Sequence, residues 1–152
     1  DCVHWNAGLW DTLRFPDVGV VTPLCVYKDN IDRICARMKT LFPKAVCVFA
    51  TTTPCVESRF DRSEDFRLNS DVREYNDAAV RIVKSWGHLV DDLYAKLDGV
   101  PEEYYDGPTH PYTREGTKIL ADAVAASISG ALGTKAVECD TTELFARDFV
   151  GI

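Results

Sequence analysis

Short apolar runs alternate along this chain with longer stretches in which apolar residues recur every three or four positions. The runs at 2–5, 44–53 and 88–90 predict strands, and the second is expected to be buried on both faces. Helical spacing predicts a helix over 24–41, which Pro43 ends because proline cannot continue the helical hydrogen-bond pattern.

Capping residues indicate where the other helices begin. Asn69 or Ser70 is expected to cap a second helix, which Gly87 ends. Asp91 and Asp92 are expected to cap a short helix after the third strand.

A last long helix is predicted to begin at Thr113, and Gly130 and Gly133 are expected to close it. Residues 134–152 form a tail with two open interpretations, a short helix near 142–147 or an added strand that ends at Ile152.

Strands that alternate with helices predict an α/β domain with a parallel sheet covered on both faces. This domain is predicted to span 1–132, followed by an extension over 133–152. Ligands of such sheets bind at the carboxyl ends of the strands. The segments expected to converge there begin at Asn6, Pro54, Asp91 and Asp106.

Composition argues against several classes of function. The formal net charge is -7 and the basic residues are scattered, so no nucleic-acid partner is expected. No apolar run approaches the roughly 20 residues that span a bilayer, so no membrane partner is expected either.

The cysteines are even in number, but no Cys-x-x-Cys pair occurs, and neither a zinc site nor another metal site is expected. We interpret them as mostly reduced structural thiols, which favours an intracellular, cytoplasmic protein. Cys55, in a polar loop, is the candidate for a reactive thiol. The six are Cys2, Cys25, Cys35, Cys47, Cys55 and Cys139.

His110 lies in a tight Gly/Pro turn just before the last predicted helix, with the Asp106 carboxylate four residues upstream. A general base needs a group that fixes its tautomer and a rigid element that fixes its position, and such a turn offers both. The alternative interpretation is an ordinary surface histidine. His4 and His88 are interpreted as structural residues of their strands.

Several segments resemble the SGNH/GDSL hydrolases. VHWNAGLWD at 3–11 resembles the family's third sequence block, in the variant where WN-x-GLWD replaces Gly-x-Asn-Asp. KAVCVFATTTP at 44–54 is similar to the strand and loop that follow, and 106–116 resembles the fifth, catalytic block. The resemblance covers roughly 1–132, in the family's order.

This resemblance implies an ester hydrolase with a flavodoxin-like three-layer α/β/α fold and without metal or organic cofactor. It implies that Asn6 donates its side-chain amide to the oxyanion and that His110 is the general base. Trp5, Gly8 and Trp10 of the same block are expected to line the substrate pocket. The implied substrates are small acyl esters, O-acetylated carbohydrates among them.

The catalytic block departs from the family pattern at its acid. The family places an aspartate three residues before the histidine, and that position is Gly107 here. Asp106 therefore either reaches the imidazole through a longer turn or is a bystander.

The second departure concerns the nucleophile, because neither Gly-Asp-Ser nor Gly-x-Ser-x-Gly occurs in the chain. We expect the first strand and the nucleophilic serine on a segment outside this chain, which predicts a second polypeptide or a second copy as partner. Without that strand the sheet would have an exposed edge, so an isolated chain is expected to be unstable, dimeric or bound to the missing part.

Two alternatives stay open. One is a non-catalytic module that keeps the ligand cleft and serves in binding or assembly. The other is a thiol hydrolase in which Cys55 acts with His110.

Overall fold

Three parallel strands form the centre of the protein in a computed structural model, which describes residues 1–135. A two-stranded hairpin, four α-helices and two short 3-10 helices surround them. In chain order the elements are β1 (Cys2–Asn6), β2 (Arg14–Phe15), β3 (Gly19–Val20), α1 (Leu24–Leu41), β4 (Val46–Ala50), a 3-10 turn (Glu57–Arg59), α2 (Asn69–Ser85), β5 (Leu89–Asp91), α3 (Leu93–Leu97), a 3-10 turn (Glu102–Tyr104) and α4 (Arg114–Leu132).

The main sheet has the order β1-β4-β5, with β4 in the centre and all three strands parallel. Trp5 lies beside Phe49, and Phe49 beside Val90, so these three side chains share the face that α1 and α2 cover. The long helix α4 contacts all three strands and packs with α3. The three-layer α/β/α fold with a parallel sheet is therefore confirmed.

The hydrophobic core lies between the sheet and the helix pair α1 and α2. A large apolar side chain stabilises the fold by roughly 1.5–3 kcal/mol when it is fully buried. The buried members of this core are Tyr27, Ile31, Cys35, Phe49, Tyr75, Ala79 and Val83. The predicted apolar face of α1 is thus buried over its middle turns, whereas Leu41 at the helix end is 52% exposed.

Local capping predictions were right where the side chain bonds its own helix. Thr113 accepts a hydrogen bond from the Gly116 N–H, and Asp92 accepts one from the Ala95 N–H. Gly133 ends α4 in the left-handed conformation, with φ of 66°.

The prediction that Asn69 or Ser70 caps α2 was wrong. Leu68 occupies the cap position without a side-chain bond, and Asn69 is the first helical residue. The amide of Asn69 instead bonds the backbone of Cys55, across the loop. The segment between β1 and α1 contains the hairpin β2–β3, which the sequence did not predict because its two-residue strands are too short to give a pattern. The structure predicted for 142–147 and for a strand ending at 152 lies outside the described residues.

The β1 side of the sheet is more open than its centre. Within residues 1–135, β1 pairs with β4 alone, and Cys2, Val3, His4 and Trp5 are only half-buried. The Trp5 indole N–H is buried without a hydrogen-bond partner there. Most apolar residues of α4 are likewise only half-buried, and Gly116 is the one buried residue of this helix. No helix in the described part is both long and apolar enough to cross a membrane.

His88 is a buried histidine that contacts the core. Its imidazole lies 3.8 Å from the Cys35 sulfur and meets the Trp5 ring edge-on. Burial lowers the pKa of His88 from its ordinary value, because the apolar surroundings disfavour the charged imidazolium.

We predict that His88 makes folding sensitive to mild acid. Below the ordinary pKa of 6.5 the unfolded chain binds a proton that the folded protein resists, so the free energy of unfolding falls as pH decreases through that window. The stability difference between the wild type and His88→Gln, measured by urea denaturation, should shrink between about pH 7.5 and about pH 5. Equal pH dependence in the two proteins would contradict this assignment.

Candidate active site

The carboxyl ends of the three parallel strands bring the predicted loops to one edge of the sheet. Asn6, Ala50 and Asp91 are the last residues of their strands and lie side by side in the register. Asn6 is exposed, and its side-chain amide forms no hydrogen bond within residues 1–135. Its N–H groups are therefore available to an acceptor at this edge.

A close backbone approach holds the loop after β1. The Ala7 carbonyl accepts hydrogen bonds from the Tyr27 hydroxyl at 3.1 Å and from the Thr52 hydroxyl at 3.3 Å. Gly8 follows with φ of +136°, and a Cβ there would stand 2.5 Å from Thr52 Oγ1. Only glycine fits this approach without strain. Gly8, expected to line the substrate pocket, thus joins the loop after β1 to the loop after β4.

Two asparagines of α2 hold the loop after β4. Asn76 accepts from the Thr52 N–H and donates to the Thr52 carbonyl, each at 2.8 Å. Asn69, seven residues earlier and so on the same helix face, makes the same pair of 2.8 Å bonds with Cys55. Each side-chain amide thus bonds both backbone groups of a loop residue, as the backbone of a neighbouring strand would. These bonds hold the loop in place.

The turn that carries His110 is tied to the same loop. The Val56 N–H donates to the Pro108 carbonyl at 2.8 Å. Arg59 donates to the carbonyls of Tyr105 at 2.8 Å and Gly107 at 3.2 Å. These bonds place the His110 turn against the loop after β4.

The start of α4 packs against the other side of this turn. The Thr113 hydroxyl donates to the Tyr104 carbonyl at 2.8 Å while it caps the helix. Gly116 lies so close to the carbonyls of Pro111 and Tyr104 that a Cβ would overlap both. The turn is therefore a rigid element, as general-base chemistry requires.

The imidazole of His110 has a partner that the sequence analysis missed. Its Nδ1 lies 2.7 Å from the Thr109 hydroxyl, and its ring packs on Tyr112 with centroids 4.8 Å apart. Asp106 is exposed, and its backbone N–H donates to the His110 carbonyl at 3.2 Å. In the described part of the chain the Asp106 carboxylate forms no hydrogen bond. A hydroxyl next in sequence to a histidine is too common a pattern to have predicted Thr109.

Asp91 does not cap a helix as expected. Its carboxylate lies 3.0 Å from Nε2 of His4, and the side chains are 5% and 17% exposed. Both belong to the sheet face opposite Trp5, and the pair spans β4. Asp92 alone caps α3. His4 is a packed histidine, as the sequence analysis proposed, with a partner 87 residues away.

The three residues expected to line the pocket lie in different surroundings. Trp5 packs edge-on against Phe49 at 4.8 Å, on the core face of the sheet. Gly8 has no side chain to offer and serves the loop contact. Trp10 is 75% exposed and presents its ring to solvent. Of the three, Trp10 alone offers a free aromatic surface.

Cys55 does not have the surroundings of a nucleophile. It is 6% exposed, and its thiol donates to the Asn69 carboxamide oxygen at 3.3 Å. Burial, with the nearby Glu57 charge, raises the pKa of Cys55 to about 11. Because the thiolate is the reactive form, this corrects the expectation that Cys55 is a reactive thiol.

None of the chain's six serines is hydrogen-bonded to His110. Ser58 donates to Glu102, Ser63 to Asp61 and Ser85 to the Ile82 carbonyl. The other three, Ser70, Ser127 and Ser129, lie within helices. Over residues 1–135 no group of three His, Cys, Asp or Glu side chains has the geometry of a metal site.

Three solved structures that are similar to this chain are hydrolases. A lipase/acylhydrolase from Enterococcus faecalis matches 91% of this chain with a TM-score of 0.65 and 17% identity. An α/β hydrolase from the metagenome of Lake Arreo, Spain, matches 87% with a TM-score of 0.62 and 20% identity. A GDSL-like lipase from Parabacteroides merdae matches 76% with a TM-score of 0.58 and 13% identity.

These likenesses show the fold alone, a three-layer α/β/α arrangement that this chain shares with the three hydrolases. This chain spans 65%, 61% and 52% of the three neighbours, respectively. No protein-family model matches the sequence, and no curated protein matches it.

Gly8→Ala tests the close approach between the two loops. Left-handed backbone and the overlap with Thr52 should lower the free energy of unfolding by roughly 1–3 kcal/mol. Gly130→Ala is the matched control, because its Cβ would enter open space on a helix and should be neutral or stabilising by up to about 1 kcal/mol. Equal urea midpoints for Gly8→Ala and the wild type would show that the approach is not constraining.

Native alkylation tests the assignment of Cys55. Iodoacetamide at neutral pH should label the exposed Cys25 at least about tenfold faster than Cys55, whose thiol is buried and protonated. Peptide masses after a timed quench give the two rates. Cys55 labelling as fast as Cys25 would restore the thiol-hydrolase mechanism.

Proposed function

We propose that this chain carries the oxyanion donor and the general base of an SGNH-type serine ester hydrolase. The observation that supports this most is that the loop of Asn6 and the turn of His110 are tied to one loop, which follows β4, through Thr52 and Val56. The fold is shared with lipases and an acylhydrolase, which favours ester chemistry at this edge.

In this mechanism a serine hydroxyl attacks the ester carbonyl while His110 Nε2 takes its proton. The carbonyl oxygen becomes an oxyanion that accepts a hydrogen bond from the Asn6 amide, a contribution worth roughly 3–4 kcal/mol. The intermediate expels the alcohol, which takes the proton from His110. Water then repeats the sequence on the acyl-enzyme and releases the carboxylic acid.

Thr109 orients the base. When its hydroxyl accepts from Nδ1–H, Nε2 is unprotonated and can receive the serine proton. A neutral hydroxyl stabilises the resulting imidazolium less than a carboxylate does. We therefore assign the stabilisation of the imidazolium to the carboxylate of Asp106. This carboxylate is exposed, and the backbone N–H of Asp106 closes the turn by donating to the His110 carbonyl.

The nucleophilic serine is assigned to a second polypeptide that carries a Gly-Asp-Ser block, because all six serines of this chain lie within residues 1–135 and none of them bonds His110. The open edge of β1 supports this, because a strand added there would pair with the backbone groups that β1 leaves unpaired on that side. Small acyl esters, including O-acetylated carbohydrates, are the proposed substrates.

One observation favours a second candidate, a non-catalytic module that binds a ligand in the same cleft. His110 has Thr109 as its side-chain partner, and no described serine or carboxylate bonds it. The two candidates differ in whether His110 is needed for turnover.

A fluorophosphonate probe tests the proposal when applied to the native preparation, with intact masses of every polypeptide present. We expect an adduct on a co-purifying chain, and its formation should fall about 10²–10⁴-fold in His110→Ala because the serine loses its base. Ester hydrolysis should fall in parallel. Asp106→Asn should lower the rate if that carboxylate stabilises the imidazolium.

His4→Gln is the control, because His4 is a histidine bonded to Asp91 on the sheet. It should retain probe labelling. An adduct on the 152-residue chain would place the nucleophile among its own serines, against this assignment. No labelling and no hydrolysis, with ligand binding unchanged in His110→Ala, would support the non-catalytic module.

A further inference from the structure

Arg67 is a buried arginine without a carboxylate partner. It is 6% exposed, and its Nε–H donates to the Leu9 carbonyl at 2.8 Å. Its guanidinium carbon lies 5.5 Å from the centre of the Trp10 ring. Across residues 1–135 its two Nη groups form no hydrogen bond or ion pair.

The neighbouring arginines are satisfied. Arg14 forms a two-bond ion pair with Asp71, and Arg62 pairs with Glu57 at 3.0 Å. Arg67 has no such pair. Desolvation lowers the pKa of its guanidinium, and the nearby Asp65 charge opposes this as the smaller effect. An anion bound at the two unbonded Nη groups would supply the ion-pair partner that Arg67 lacks.

Arg67 lies beside the proposed catalytic edge. Leu9, which it bonds, is three residues after Asn6, in the loop that begins at the end of β1. The Arg67 charge is also near enough to Cys55 to act on the pKa of that thiol, which it lowers against the larger effect of burial. Cys55 precedes Val56, which holds the His110 turn.

We propose that Arg67 determines substrate specificity by binding a carboxylate on the alcohol part of the ester, as in an acylated uronic-acid sugar. The two free Nη groups form an end-on fork that matches the two oxygens of a carboxylate. Trp10, 75% exposed above the guanidinium, offers the aromatic face on which a sugar ring stacks. This inference rests on the proposed function, because it places the acidic group beside the ester site.

Binding without turnover tests the proposal, with methyl glucuronoside and methyl glucoside as probes that carry no ester. Calorimetry on the native preparation, with any co-purifying polypeptide, should show at least about tenfold tighter binding of the glucuronoside. Arg67→Met should abolish this preference and leave glucoside binding within about twofold. Trp10→Ala should weaken both ligands alike.

Arg62→Met is the matched control, since Arg62 lies in the same loop but already has Glu57 as partner. It should keep the preference. Arg67→Lys, which retains the charge and the apolar stem but loses the fork, should keep only part of it, and it decides the matter if Arg67→Met does not fold.

Two results would overturn the proposal. One is equal affinity of the wild-type protein for the two probes. The other is a preference for the glucuronoside that is undiminished in Arg67→Lys and persists in Arg67→Met. The acetylated forms of both probes separate this outcome from failure of the proposed function. Hydrolysis of both at equal efficiency would overturn the carboxylate site alone. Preferred binding of the glucuronoside without any hydrolysis would overturn the ester-hydrolase assignment alone.

Discussion

The constraint on which the site depends is the approach of the loop after β1 to the loop after β4 at Gly8. There the Ala7 carbonyl accepts hydrogen bonds from two hydroxyl groups, those of Tyr27 in the core and of Thr52 in the neighbouring loop. Since Tyr27 is 1% exposed and packs between sheet and helices, the core itself fixes where the backbone leaves β1. The position of Asn6 follows from that contact.

Helix α2 links the core to the turn that carries His110. Asn69 and Asn76 lie on one side of the helix, next to its buried core residues, and each satisfies both backbone groups of a loop residue. The loop so held then bonds the His110 turn through Val56. A packed helix thus positions the proposed base, His110, which lies far from it in the chain, and proton transfer needs such a rigid position.

The central strand of the sheet and its edge strand β1 differ in how deeply they are buried. Strand β4 is buried at four of its five residues, whereas β1 is half-buried and has an open edge within the described chain. The proposed catalytic groups lie at the end of that open strand and on the turn before half-buried α4. A partner strand would therefore complete the fold and the proposed site at the same place, and one surface would serve both stability and chemistry.

The sequence by itself determined the features that arise from neighbouring residues. It predicted the bounds of the helix at 24–41 from apolar spacing and the caps at Asp92 and Thr113 from local side-chain bonds, and its α/β order implied the sheet. Only the tertiary structure decided that Asn69 bonds a loop instead of capping its helix and that Arg67 is largely buried without forming an ion pair. Such roles depend on groups brought close by folding, and spacing along the chain carries no record of those distances.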